Sequence, residues 1–180
     1  MTKKIQKEVS ENIDLSKDYV VALSGGVDSA VLAKIVSQNT KKVRSVFVRH
    51  NQGHSQELEK AAQSIAKKLK INHKILNSNL ALGSSETNMR EVRYNLLFND
   101  LKNGEVLLTG HTLSDKVETF FMNLIRGTRL HGLKSIPQSV KNVERPLINI
   151  SKKEIMKFAK ENEIDYLDDV TNFENKILRN

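Results

Sequence analysis

The sequence predicts an α/β domain: a Rossmann-like parallel sheet with helices on both faces. Three observations lead there. Short apolar, β-branched runs alternate with stretches whose apolar residues recur at helical spacing. The connectors between them are short, as βα units require. The first strand also runs directly into a glycine pair and a helix start, Tyr19-Val20-Val21-Ala22-Leu23 followed by Ser24-Gly25-Gly26-Val27-Asp28-Ser29. Right-handed crossovers then place ligand-binding loops at the carboxyl ends of the strands.

The elements follow in order. The strand from Tyr19 to Leu23 gives way to a helix reaching about Ser37, and Val43 to Val48 reads as a second strand. Ser55 is placed to cap a helix whose Leu58, Ala61, Ala62, Ile65 and Leu69 form one apolar face, and His73 to Leu76 reads as a third strand. Asn77 to Asn88 is polar enough to be a mobile loop. A helix spans roughly Met89 to Leu101 and Val106 to Thr109 is an apolar strand. Leu113 to Ile125 is a helix expected to turn Val117, Phe120, Phe121 and Leu124 inward. Ser151-Lys152-Lys153-Glu154 is a capping box opening a helix that carries Ile155, Phe158 and Ala159.

Composition bounds the function classes. A chain of 180 residues, 38% hydrophobic, can bury one core, so residues 1–180 are expected to form a single domain, with 140–180 as an extension packing near the site. No apolar stretch approaches a membrane span, and the charged Met1 to Ser10 lacks the apolar region of a secretory signal, so a cytoplasmic protein is expected. With no cysteine, the chain has no disulfide, thiolate metal site or persulfide chemistry. A net charge of +8 suits a polyanionic partner such as RNA, although Lys and Asn richness is also a plain compositional bias.

The chemistry concentrates at strand ends. The first amides of a helix lack internal acceptors and carry the positive end of the macrodipole, so the turn after the first strand suits an anion. Gly25 and Gly26 let a phosphate approach the backbone, while Ser24 and Ser29 offer hydroxyls. No lysine stands in the loop, so it is not the Walker type, and Asp28 facing a polyphosphate implies Mg²⁺ between them. The bland alternative is a glycine-rich turn without a ligand. Ser24 to Ser29 resembles the signature loop of the N-type ATP pyrophosphatases, which hold the β,γ-pyrophosphate of ATP while AMP is transferred.

Other strand ends are equally polar. After the second strand comes Arg49-His50-Asn51-Gln52, where His50 suits a nucleotide or a surface role equally. After the fourth comes Thr109-Gly110-His111, then Asp115 and Glu118 at i, i+3 on one helical face, with Arg126 and Gly127 farther along. Two acids near a helix start also simply favour the dipole. Arg90 and Arg93 suit ATP or RNA, or surface pairing within their helix.

These runs, with Arg90-Glu91-Val92-Arg93-Tyr94, Arg145-Pro146-Leu147, Asp169-Val170-Thr171-Asn172 and Arg179-Asn180, are colinear with the catalytic domain of the tRNA(Ile)-lysidine synthases, which the chain resembles from about Val20 to Asn180. The resemblance implies ATP-dependent adenylation of C2 of the wobble cytidine of an isoleucine tRNA with a CAU anticodon. Free L-lysine then attacks C2, with pyrophosphate and AMP released. It implies that Ser24, Gly25, Gly26, Val27, Asp28 and Ser29, with His50, Gly110 and His111, hold ATP, and that Asp28 holds Mg²⁺. Asp28, Asp115 and Glu118 would be catalytic; Asp115, Glu118 and Arg126 would bind lysine, with Asp115 helping to remove its proton. Arg90, Arg93, Arg126, Arg129, His131, Lys134 and Arg179 would meet tRNA. The chain departs from the family pattern at Thr112 and Ser114, which replace a histidine and an acid. Most relatives also continue past the position of Asn180 into further tRNA-binding domains, absent here, which leaves homodimerisation, a partner or the positive charge to hold the tRNA. Rival readings are a tRNA thiolase of the same fold, a synthetase that amidates a small metabolite, and a non-catalytic ATP- or RNA-binding module.

Overall fold

The computed structural model of the chain describes residues 2–50, 55–81, 83–127 and 134–167. It opens with a helix that composition hid, α1 (Thr2–Glu11): only Ile5 and Val9 are apolar in a charged decapeptide, yet both are fully buried. There follow β1 (Asp18–Ala22), α2 (Val27–Asn39), β2 (Val43–Arg49), α3 (Ser55–Leu69) and β3 (Asn72–Asn77). Next come α4 (Glu86–Asp100), β4 (Glu105–Leu108), α5 (Leu113–Ile125), β5 (Ser139–Val140), β6 (Val143–Glu144) and α6 (Lys152–Glu161). The expected boundaries hold to within about three residues, with two shifts. Ser55 is the first helical residue of α3, and the loop expected to reach Asn88 ends at Ser85, whose hydroxyl accepts from Asn88 N at 3.2 Å and caps α4.

The six strands lie in the order β3-β2-β1-β4-β6-β5, parallel except for β5 against β6. The predicted parallel α/β sheet is thus observed, with a short antiparallel edge that two-residue strands left invisible to periodicity. Chain order reverses at β1: β2 and β3 extend to one side, β4 and β6 to the other. The crevice at such a reversal, beyond the carboxyl ends of β1 and β4, is where open α/β sheets bind ligands.

The pleat sends alternate β1 residues to opposite faces. Tyr19, Val21 and Leu23 join the larger core with α2, with Ile5, Val9 and Ile13, and with Ile155, Phe158 and Ala159 of α6. Val20 joins Val46, Leu97, Leu107 and Val143 in a smaller core, which Tyr94 of α4 also lines.

One expectation fails. α5 contributes no buried residue: Val117, Phe120, Phe121 and Leu124 are 46%, 38%, 53% and 49% exposed, and Ile125 is 84% exposed. The apolar spacing correctly marks the face that favours burial. What covers that face is a tertiary matter, and among the described residues these side chains are only partly covered.

Candidate active site

The loop after β1 is shaped by two close approaches. Gly25 has φ +86°, and a Cβ there would lie 2.4 Å from the Leu58 carbonyl oxygen of α3, so neither the backbone angle nor the space admits a side chain. Gly26 is the N-cap of α2 in extended conformation (φ −80°), so of the two glycines only Gly25 uses left-handed geometry; no side chain caps the helix. The first-turn amides of α2 are therefore left for an anion. Ser29 is buried and braces the loop: its hydroxyl donates to Gly26 O at 3.0 Å, accepts from Ser24 N at 3.1 Å and lies 3.0 Å from Ser24 Oγ. Ser24 is exposed at the mouth, so the two predicted hydroxyls divide into one brace and one surface group.

The loop after β4 presses on the first. A Cβ on Gly110 would fall 3.0 Å from Ser29 N and 3.1 Å from Asp28 C, intruding on the amides of the cradle. Loop-on-loop packing thus requires a glycine at 110. Thr112 N and Oγ1 both donate to Asp115 Oδ2 at 2.7 Å, which fixes that carboxylate at the start of α5, and Leu113 N donates to Ile150 O at 3.0 Å. Glu118 lies one turn farther and is exposed.

Electrostatics joins the two loops. Burial raises the pKa of Asp28 from its ordinary value, the Lys152 ammonium opposes that rise, and the negative charge of Asp115 adds a smaller upward push. Lys152 Nζ lies 2.8 Å from Asp28 Oδ1 and 2.7 Å from Oδ2. Asp28 and Asp115 are near enough to interact electrostatically, and carboxylates are the ligands that a hard divalent cation favours. Among the described residues no cluster of three or more acids, histidines or cysteines forms a complete protein cage. A Mg²⁺ held by one or two carboxylates and by substrate phosphates requires none.

Beyond Asp115 lies a basic lobe. Burial holds His111 down to about 4, opposed by Asp115 and reinforced by Arg145, Arg90 and Arg93, so its imidazole is neutral near pH 7; its Nδ1 lies 2.9 Å from Thr109 Oγ1. His50 is likewise lowered by burial and then by Arg93. Its Nδ1 meets Ser78 Oγ at 3.0 Å, and its buried Nε2 has no partner among the described residues. Arg145 is buried, donates through Nη1 to Pro137 O at 3.0 Å, and keeps a buried Nε without a partner among the described residues. On α4, Arg90 sits 6.0 Å over the Tyr94 ring, in a recess lined by Thr87, Glu91 and Asn95. Arg93 retains exposed surface, yet surrounding protein pushes its pKa down.

The structure thus groups the loop 24–29, His50, Arg90, Arg93, Gly110, His111 and Asp115. Arg126 caps the far end of α5, about 16 Å along the helix from Asp115 at 1.5 Å per residue, and Lys134 is exposed. Asn51, Gln52, Arg129, His131, Arg179 and the 169–172 run lie outside the described residues. Sequence reasoning missed Lys152, although a signal existed: a lysine in the first turn of a helix opposes the macrodipole and calls for an outside explanation. It also gave Arg145 no role.

A family model described as the PP-loop domain matches residues 1–180. The chain belongs to the PP-loop family. The resemblance drawn from the motifs is borne out by its relatives. Over 168 residues it is 36% identical to the tRNA(Ile)-lysidine synthase of Buchnera aphidicola subsp. Schizaphis graminum, covering 87% of this chain and 38% of that protein. It is 36% identical to the same enzyme from Bdellovibrio bacteriovorus, covering 91% and 54%, and 32% identical to that from Wigglesworthia glossinidia brevipalpis, covering 100% and 49%. The chain therefore spans roughly two-fifths to half the length of these curated relatives. Among solved structures it is similar to an NH3-dependent NAD synthetase from Campylobacter jejuni (TM-score 0.59, 20% identity, 97% of this chain and 75% of that one). It is also similar to an NMN synthetase from Francisella tularensis (TM-score 0.58, 15% identity, 91% and 69%). At those identities the likeness shows the fold.

Proposed function

We propose that this chain is the catalytic domain of a tRNA(Ile)-lysidine synthase, which adenylates C2 of the wobble cytidine of a CAU-anticodon isoleucine tRNA and then joins free lysine to that carbon. The carrying observation is the crevice at the β1/β4 reversal, where an uncapped helix start carries Asp28 and the loop leading to Asp115 packs against it through Gly110. The 31–36% identity to curated lysidine synthases supports the substrate assignment.

In this reading the α2 amides and Ser24 bind the outer two phosphates of ATP, and Gly110 keeps the approach to them open. Asp28, with Asp115 nearby, would hold Mg²⁺, which supplies charge neutralisation for the departing pyrophosphate. Neutral His111 offers a hydrogen-bonding ring beside the nucleotide without adding charge. Lysine arrives as a non-nucleophilic ammonium. Asp115, with Oδ2 fixed by Thr112, binds that ammonium and takes its proton as the amine attacks C2, and Glu118 extends the acidic surface. Arg126, at the end of α5, serves the carboxylate of that lysine or the tRNA backbone. Arg90, Arg93 and Lys134 face the same polyanion, and Arg129 and Arg179 are assigned to it by resemblance. A cytoplasmic location accords with a tRNA substrate, and among the described residues no helix is long and apolar enough to cross a membrane. Thiolation through a protein persulfide is disfavoured because the chain contains no cysteine.

The test is incubation with ATP, Mg²⁺, labelled lysine and total tRNA. Label is expected in isoleucine tRNA carrying a CAU anticodon, with AMP and pyrophosphate as co-products. ADP and orthophosphate as products would overturn the reading.

A further inference from the structure

Lys152 forms two hydrogen bonds to Asp28, the residue assigned above to the metal, and nothing in the local sequence accounts for it. It is the first residue of α6, where the macrodipole disfavours a cation, so helix stability does not explain its place. Its Cα is nonetheless firmly held. Ser151 and Glu154 close a capping box with bonds of 2.7 to 3.3 Å, and Ile155, Phe158 and Ala159 anchor the helix in the larger core. The pair itself is half-solvated, with the Lys152 side chain 43% exposed and that of Asp28 29% exposed, a setting in which ion pairs are weak and readily exchanged. The ammonium rides on a flexible four-carbon stem. The loop from Ser24 to Ser29 contains no lysine of its own, so positive charge for the phosphates has to come from elsewhere in the fold.

We propose that Lys152 is a polyphosphate-binding residue held in reserve by Asp28: as the metal-bound nucleotide enters, Asp28 exchanges the ammonium for the metal and Lys152 turns to the phosphate oxygens. The pair thus keeps the cradle electrically balanced when empty and supplies the lysine that the loop lacks when filled. This rests on the pyrophosphate-binding reading of the site.

The pair makes opposite predictions for its two members, which a structural strut would not. Inorganic pyrophosphate is titrated calorimetrically without metal, and Mn²⁺ alone is titrated by water-proton relaxation. Lys152→Met should weaken metal-free pyrophosphate binding by about tenfold or more and tighten Mn²⁺ by about threefold, while Lys152→Arg restores pyrophosphate binding. Asp28→Asn should lose Mn²⁺ and turnover yet bind metal-free pyrophosphate about threefold more tightly, because its lysine is released. The double variant should match Lys152→Met in pyrophosphate binding and Asp28→Asn in Mn²⁺ binding, and Lys153→Met, one residue along, should match wild type in both titrations. If Asp28→Asn and Lys152→Met weaken pyrophosphate together, or Lys152→Met leaves it unchanged while wild type binds, the exchange is overturned and the pyrophosphatase reading stands. If wild type binds neither pyrophosphate nor ATP with Mg²⁺, the functional reading itself falls.

Discussion

Helices α5 and α6 each open on a capping box, Thr112 with Asp115 and Ser151 with Glu154, and each carries an apolar stripe; yet α6 buries Ile155, Phe158 and Ala159 whereas α5 buries nothing. The same local code has met two tertiary fates. In α6 the box is structural: Glu154 accepts from Ser151 and Lys4, and those bonds hold its carboxyl down to about 2. In α5 the box fixes Asp115 Oδ2 at the start of a helix whose leading loop packs, at Gly110, against Asp28 and Ser29. One helix start ties its carboxylate into the fold, and the other holds the carboxylate of Asp115 in place at the crevice.

The largest effect expected from this contrast is in the core. Phe158→Ala should cost about 3–5 kcal/mol in urea unfolding, since a fully buried ring leaves a cavity. Next, Asp115→Asn should slow lysine incorporation by about a hundredfold or more with little change in urea midpoint. Glu154→Ala should show the converse emphasis, with about 1 kcal/mol of stability lost. An Asp115→Asn variant with near wild-type turnover would erase the distinction between the two boxes.

Acid should dissect them in sequence. His111 is held near 4 in the folded chain against an ordinary 6.5, so the unfolded chain binds the extra proton between those values, and stability falls as pH drops from about 6.5 to 4. His111→Gln should shallow that slope, with His50 and His73, also held low by burial, retaining part of it. Glu154 contributes stability that is complete above 4.5 and lost as pH falls towards 2, a second window that Glu154→Ala should remove. Thermal melts across pH separate the two. The smallest effect belongs to α5's outer face: Phe121→Ser should change stability by no more than about 0.5 kcal/mol. A loss of several kcal/mol would show that the stripe is covered in solution.

Much of this was legible beforehand because β-branched runs, the Gly25-Gly26 turn and the Ser151 box are local signals with local causes. α1 escaped because two apolar residues, Ile5 and Val9, carry its whole seat. β5 and β6 escaped because two-residue strands have no period. The orientation of α5 was misjudged because a stripe reveals which side favours burial and leaves the cover to the rest of the fold. Lys152 was hidden because its partner lies 124 residues earlier in the chain, and only strand order brings them together.

The contact of Gly110 with the Ser29 amide has a consequence for biosynthesis. An emerging chain can pair β1 with β2 and β3 early, but the flank of β1 that meets β4 stays open until more than a hundred residues have been made. A nascent fragment that stops short of β4 therefore has no finished cradle, and ligand-assisted folding can act only once the fourth strand has docked and α6 has been made.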